Sequence, residues 1–124
     1  MAVILIVEDE VFIRENALWM IEDLGHITLV AEDEDEAHAH LSKPHQIDVL
    51  FVDIRLGRIA LGGYGVADHA IQFRPNLRVL YTSGSALTDD MTDRFVGGGQ
   101  FLQKPYSGAQ LEAAIAVLLE PIPH

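Results

Sequence analysis

The sequence predicts an α/β fold in which five buried strands alternate with five helices in a doubly wound parallel sheet. Three observations carry that reading. Short apolar runs recur along the chain, and each is followed by a stretch with helical spacing. The run at 47–53, Ile-Asp-Val-Leu-Phe-Val-Asp, holds four consecutive apolar residues of β-branched, aromatic and aliphatic type, as a strand covered on both faces does. The runs also end on polar side chains. Asp53 would lie at the carboxyl end of its strand, where open α/β sheets place their sites. A carboxylate there needs a partner, because burying an unpaired charge is costly.

Val3 to Val7 is the first strand, and Glu8-Asp9-Glu10 follow it at once. Ile13, Ala17, Met20, Ile21 and Leu24 then fall on one helical face, and Gly25 ends that helix. Phe12 and Trp19, seven residues apart, lie on a flank outside this face; they either form a partner surface or pack at the rim of the core. Ile27 to Ala31 is a short second strand. The acids Asp33 to Glu36 load the start of a second helix, where capping and the helix dipole explain them without a functional role. That helix runs over Ala37 and Leu41 and stops near Pro44.

After Asp53 a loop is expected through 58–63, with a third helix over 64–72 and a break at Pro75-Asn76. The fourth strand, 78–82, leads into Ser83-Gly84. A fourth helix within 88–96 has few apolar anchors (Met91, Phe95, Val96) and mediocre helix formers, and Gly97 to Gly99 close it. It is expected to be the least stable element. The fifth strand, Gln100 to Gln103, is followed by Lys104-Pro105. Ser107 and Gln110 make a capping box for a last helix with core face Leu111, Ala114, Ile115 and Leu118.

With 124 residues, 49% hydrophobic, the chain is expected to be a single domain, 1–124, with its own core. It shows neither a signal peptide nor a membrane-length apolar run, and it has no cysteine, so disulfides and thiolate metal sites are excluded and a cytoplasmic location is expected. The chain stops soon after the last helix, so no output domain is expected. A net charge of −11 with no basic patch argues against a nucleic-acid partner and for a cation site.

Glu8 and Asp9 follow strand 1, Asp53 strand 3, Ser83 strand 4 and Lys104 strand 5, so all should meet on one edge of the sheet. Three carboxylates with few cations nearby repel one another, which raises their pKa values unless a metal binds. Hard oxygen ligands suit Mg²⁺, which keeps waters and accepts a phosphate oxygen. Lys104 and the Ser83 hydroxyl could then hold two oxygens of a phosphoryl group, with a carboxylate as nucleophile.

In that order and spacing, Ile-Leu-Ile-Val-Glu-Asp-Glu at 4–10, Phe-Val-Asp-Ile-Arg-Leu at 51–56, Thr-Ser-Gly at 82–84 and Lys-Pro-Tyr at 104–106 resemble the CheY-like receiver domain of two-component response regulators. The resemblance covers the whole chain. It implies the flavodoxin-like strand order 2-1-3-4-5 and Asp53 as phospho-acceptor. It implies that Mg²⁺ is held by Glu8, Asp9, Asp53 and the backbone carbonyl of Arg55. Lys104 takes the place of the family's lysine, Ser83 and Phe101 that of its switch pair, and the Lys104-Pro105 bond is expected to be cis. The implied role is phosphorelay signalling, a switch rather than a metabolic enzyme, fed by a histidine kinase or histidine phosphotransfer protein and read by an unknown downstream protein, with no membrane partner.

Some positions depart from the family pattern. Glu8 stands where many members have Asp, the loop after Asp53 is a couple of residues longer than the commonest form, and Arg55 sits where a side chain influences the dephosphorylating water. Thr82 adjoins Ser83, and strand alternation turns Ser83 towards Asp53. A Toprim-type or haloacid-dehalogenase-like site needs Asp-x-Asp, and here Arg55 occupies the second place. A degenerate receiver acting as a protein-binding module is the remaining alternative; its usual mark is loss of the acceptor or the lysine, and both are present. The six histidines form no ligand constellation and read as surface residues. The glycines at 97–99 precede a strand, so they are not a nucleotide-binding fingerprint.

Overall fold

A computed structural model describes residues 1–56 and 62–120. Five strands and five helices alternate: β1 (Val3–Val7), α1 (Val11–Asp23), β2 (Ile27–Ala31), α2 (Glu34–Ser42), β3 (Val49–Asp53), α3 (Gly62–Phe73), β4 (Arg78–Ser83), α4 (Asp89–Asp93), β5 (Gln100–Gln103) and α5 (Gly108–Leu119). All pairings are parallel and the strand order is β2-β1-β3-β4-β5. This is the flavodoxin-like order expected above. The chain steps from β1 outward to β2 and returns on the other side as β3. The crevice between the carboxyl ends of β1 and β3 is therefore the switch point of the sheet.

Alternation along each strand builds two cores. Leu5, Val7, Leu50, Val52, Val79 and Tyr81 face the side covered by α2 and α3. Ile4, Ile6, Val49, Phe51 and Leu80 face α1 and α5, meeting Ala17, Ile21, Leu111 and Ile115. Every residue of β3 is buried. At about 1.5–3 kcal/mol for each large apolar side chain, this strand has little freedom to slip, and a one-residue slip would exchange its two faces. Its last residue, Asp53, is thereby fixed.

The helix ends follow local chemistry. The Gly25 N–H donates to Glu22 O and the His26 N–H to Ile21 O, with Gly25 at φ +91°, the left-handed turn that glycine allows after a helix. Asp33 caps α2 by accepting the Glu36 N–H, which accounts for part of the acidic run there. Ser107 and Gln110 form the expected capping box of α5. Lys104–Pro105 is cis.

Two helices differ from expectation. Helix α3 begins at Gly62, earlier than 64, because Gly63 packs directly on the end of β3. The rest of the expected loop, with its added length, lies outside the described residues. Helix α4 is five residues long, because Phe95 and Val96 leave the helix to pack on Tyr81. Its own residues are all unburied. The histidines are less peripheral than expected: His38 and His40 are half-buried, His38 packs edge-on against His69 at 4.3 Å, and His40 contacts Val30 O at 2.9 Å.

Candidate functional site

The carboxyl ends of β1, β3, β4 and β5 bring Glu8, Asp9, Asp53, Ser83 and Lys104 to one edge. Glu8 is held by its backbone: its N–H donates to Ala31 O at 3.1 Å, and Arg14 Nη1 donates to its carbonyl at 3.0 Å. Asp53 is fixed from behind. The Ile54 N–H donates to Thr82 O at 2.9 Å and the Gly63 N–H to Ile54 O at 2.8 Å. A Cβ at Gly63 would fall 2.2 Å from Asp53 O, so only glycine lets α3 close on this strand end.

The lysine joins the acids. The Lys104 N–H donates to Ser83 O at 2.8 Å, placing its side chain over the crevice. Its Nζ donates to Asp53 Oδ2 at 2.8 Å and lies 2.5 Å from Glu8 Oε1. Buried Glu8 Oε1 is met by the Lys104 ammonium as a short ion pair. The other oxygen of Asp53, Oδ1, accepts the Arg55 N–H at 3.1 Å.

Burial pushes the Glu8 carboxyl up to about 7; the Asp53 charge adds to the rise and Lys104 opposes it. Desolvation therefore outweighs the mutual repulsion of the acids, which the sequence had put first. Burial also works against the Lys104 ammonium, but its bonds to Asp53 and Glu8 outweigh that and hold its pKa above the ordinary value.

A cavity of about 460 Å³ opens beside Asp53, walled by Arg55, Tyr64, Ser83, Met91 and Lys104. Thr82 is turned away: it is buried, and its hydroxyl donates to Leu102 O at 2.7 Å. Ser83 Oγ faces the loop and accepts the Ser85 N–H at 3.1 Å. Phe101 lies off the cavity, half-buried, its ring 6.3 Å from Phe95 and nearly parallel to it. A hollow of about 320 Å³ at the opposite edge of the sheet holds Arg74 and Arg78. Arg74 there is spent on the carbonyls of Leu41, Lys43 and His45.

The donor set fits a hard divalent cation. One oxygen each from Glu8, Asp9 and Asp53 lie within 4.8 Å of one another, the only such group of three among the described residues. Two oxygens on one Mg²⁺ sit no more than about 4.2 Å apart, so a small inward adjustment is enough. Buried Glu8 Oε1, paired only with a cation that a metal could replace, offers an oxygen already desolvated. Sequence reasoning missed Arg14 and Gly63 as supports and Tyr64 and Met91 as cavity walls. The double glycine that opens α3 was the one available signal.

On the flank, Phe12 is 80% exposed and Trp19 73% exposed, which decides against packing at the rim of the core. No helix among the described residues is long and apolar enough to cross a membrane.

Comparison with known proteins places these features in context. The family model for the response regulator receiver domain matches residues 4–116. Protein PilG of Pseudomonas aeruginosa is 29% identical over 115 residues, covering 90% of this chain and 83% of PilG. A probable transcriptional regulator, ycf27 of Guillardia theta, is 29% identical over 116 residues, 94% of this chain. The chain spans 44% of that regulator and about half the length of several other relatives it matches. The crystal structure of a response regulator receiver protein from Sinorhizobium medicae superposes with a TM-score of 0.86 at 28% identity, covering 95% of this chain and 94% of the other.

Proposed function

The chain belongs to the response regulator receiver family, and from that premise we propose that residues 1–124 work as one receiver unit that accepts a phosphoryl group on Asp53. The donor is a histidine kinase or a histidine phosphotransfer protein, and the setting is cytoplasmic phosphorelay signalling. The observation that carries the reading is the position of Asp53: at the switch point of the sheet, ion-paired to Lys104, and open to a cavity large enough for a phosphoryl group.

In this reading an Asp53 oxygen attacks phosphorus, and the bond to the donor nitrogen breaks. Lys104 leaves its carboxylate partners in part to neutralise one phosphoryl oxygen, and the Ser83 hydroxyl donates to another. Glu8, Asp9, Asp53 and the Arg55 carbonyl would hold Mg²⁺, whose charge offsets that of the phosphoryl oxygens. The Arg14 bond to Glu8 O and the Gly63 contact behind Asp53 keep both acids in register. Arg55 at the cavity mouth governs access of the hydrolysing water. Ser83 and Phe101 are the switch pair, and the exposed Phe12–Trp19 flank of α1 docks the phosphodonor.

Incubation with acetyl phosphate and Mg²⁺, read by intact mass, tests the proposal. The wild type should gain one phosphoryl group and Asp53→Asn none; full modification of the variant would overturn the assignment.

A further inference from the structure

Helix α4 has no fully buried residue of its own, only Met91 resting half-buried on the core, so its position is set largely by what grips the chain on either side of it. Both grips lie on β4, and alternation puts them on the same face, at Tyr81 and Ser83. Before α4, the Ser83 hydroxyl accepts the Ser85 N–H and fixes the start of the loop that reaches the helix cap at Thr88. This tether is exposed and consists of one hydrogen bond.

After α4 the grip is far larger. Tyr81 is fully buried, and its phenol oxygen accepts the Val96 N–H at 2.9 Å. Its ring stacks on Phe95 at 4.2 Å with an interplanar angle of 13°, and Tyr64 leans on both rings. The turn that follows comes down on the same ring. A Cβ at Gly99 would meet Tyr81 Cε2 at 2.9 Å and Val96 O at 3.0 Å. Phe101 touches this stack only from outside, 6.3 Å from Phe95.

We infer that Tyr81 is the pivot of the switch: α4 moves at its Thr88 end, about a fixed clamp formed by Tyr81, Phe95 and the Val96 amide. This deepens, and rests on, the reading of Asp53 as acceptor. A phosphoryl oxygen that accepts the Ser83 O–H draws the side chain inward, away from the Ser85 N–H, and releases the weaker tether. Tyr81 and Phe95 lie outside the lining of the Asp53 cavity, which their stack meets only through Tyr64, and the clamp keeps its hydrogen bond, so the motion has a fixed end.

Amide hydrogen exchange on the full chain, with and without beryllofluoride as phosphoryl mimic in Mg²⁺, tests the pivot. In the wild type the mimic should change exchange over 84–92 and leave the Val96 amide protected. Tyr81→Phe keeps the ring and removes the oxygen. It should speed Val96 exchange roughly five- to tenfold without the mimic, and spread the mimic's effect into 93–99. Phe95→Leu, which thins the stack and keeps the hydrogen bond, should spread it the same way. Unchanged Val96 exchange in Tyr81→Phe, or a wild-type Val96 that responds as strongly as 84–92, would overturn the pivot alone. A wild type that takes up neither beryllofluoride nor the phosphoryl group of acetyl phosphate would remove the acceptor reading, and the pivot with it.

Discussion

Replacing Glu8 by Gln should make the metal-free protein more stable at pH 8 and leave it nearly unchanged at pH 5. Glu8 is 3% exposed, and its carboxyl is raised from 4.5 to about 7. A carboxyl whose folded pKa lies above its unfolded value binds its proton more tightly when folded. The stability this contributes is full below about 4.5 and is lost as pH rises through about 7. At about 1.36 kcal/mol per pH unit, the interval from 4.5 to about 7 gives an upper limit of about 3 kcal/mol. The crevice is open on one side, and water relaxes part of that penalty, so about 1–2 kcal/mol is the expected gain at pH 8. Glutamine keeps the shape of the neutral acid and never ionises. Urea unfolding in EDTA at the two pH values measures the difference. A variant no more stable than wild type at pH 8, after matching it at pH 5, would refute the claim that desolvation dominates at Glu8. Added Mg²⁺ should stabilise the wild type more than the variant, whose neutral amide oxygen is a weaker ligand than a carboxylate.

Lys104→Met leaves Glu8 and Asp53 without their shared cation, and in EDTA at pH 8 it should cost about 3 kcal/mol by urea unfolding, less at pH 5 where Glu8 holds a proton. Gly63→Ala drives a methyl into the Asp53 carbonyl; about 1–3 kcal/mol should be lost, and acceptor activity measured by intact mass should fall with it. Trp19→Ala should change stability by no more than about 0.5 kcal/mol, because the indole is 73% exposed, while slowing transfer from a protein phosphodonor and leaving transfer from acetyl phosphate intact. Wild-type Trp19 should also be quenched freely by acrylamide, and a shielded indole would remove the docking flank.

Much of the fold was legible because it is written in local pattern. β3 reads as buried because four apolar residues in sequence leave no polar face, and α5 begins where Ser107 and Gln110 say it does. The site was legible for a related reason: in a parallel sheet every strand delivers its following residue to the same edge, so Glu8, Asp9, Asp53, Ser83 and Lys104 had to be neighbours. What escaped depends on contacts between distant residues. The end of α4 is set by the Tyr81 hydroxyl capturing the Val96 amide across fifteen positions, a bond that no helical propensity encodes. Gly62 and Gly63 read as loop, yet the close approach to Asp53 recruits them as the first turn of α3. The exposure of Trp19 could not be decided from spacing, because a residue on the flank of a helix is buried or free according to what the neighbouring elements leave uncovered. Lys104 was expected to meet a phosphoryl group; that it also bridges Glu8 to Asp53 follows only from the register of β1, β3 and β5.

The most direct test of the central claim is to locate the phosphoryl group. Borohydride reduces an aspartyl phosphate to homoserine and so marks the position permanently in a peptide map. After acetyl phosphate treatment, homoserine should appear at Asp53 when Mg²⁺ is present and be lost in EDTA. An unmodified Asp53, or equal labelling with and without Mg²⁺, would contradict the assignment of this edge of the sheet as a metal-assisted phospho-acceptor site.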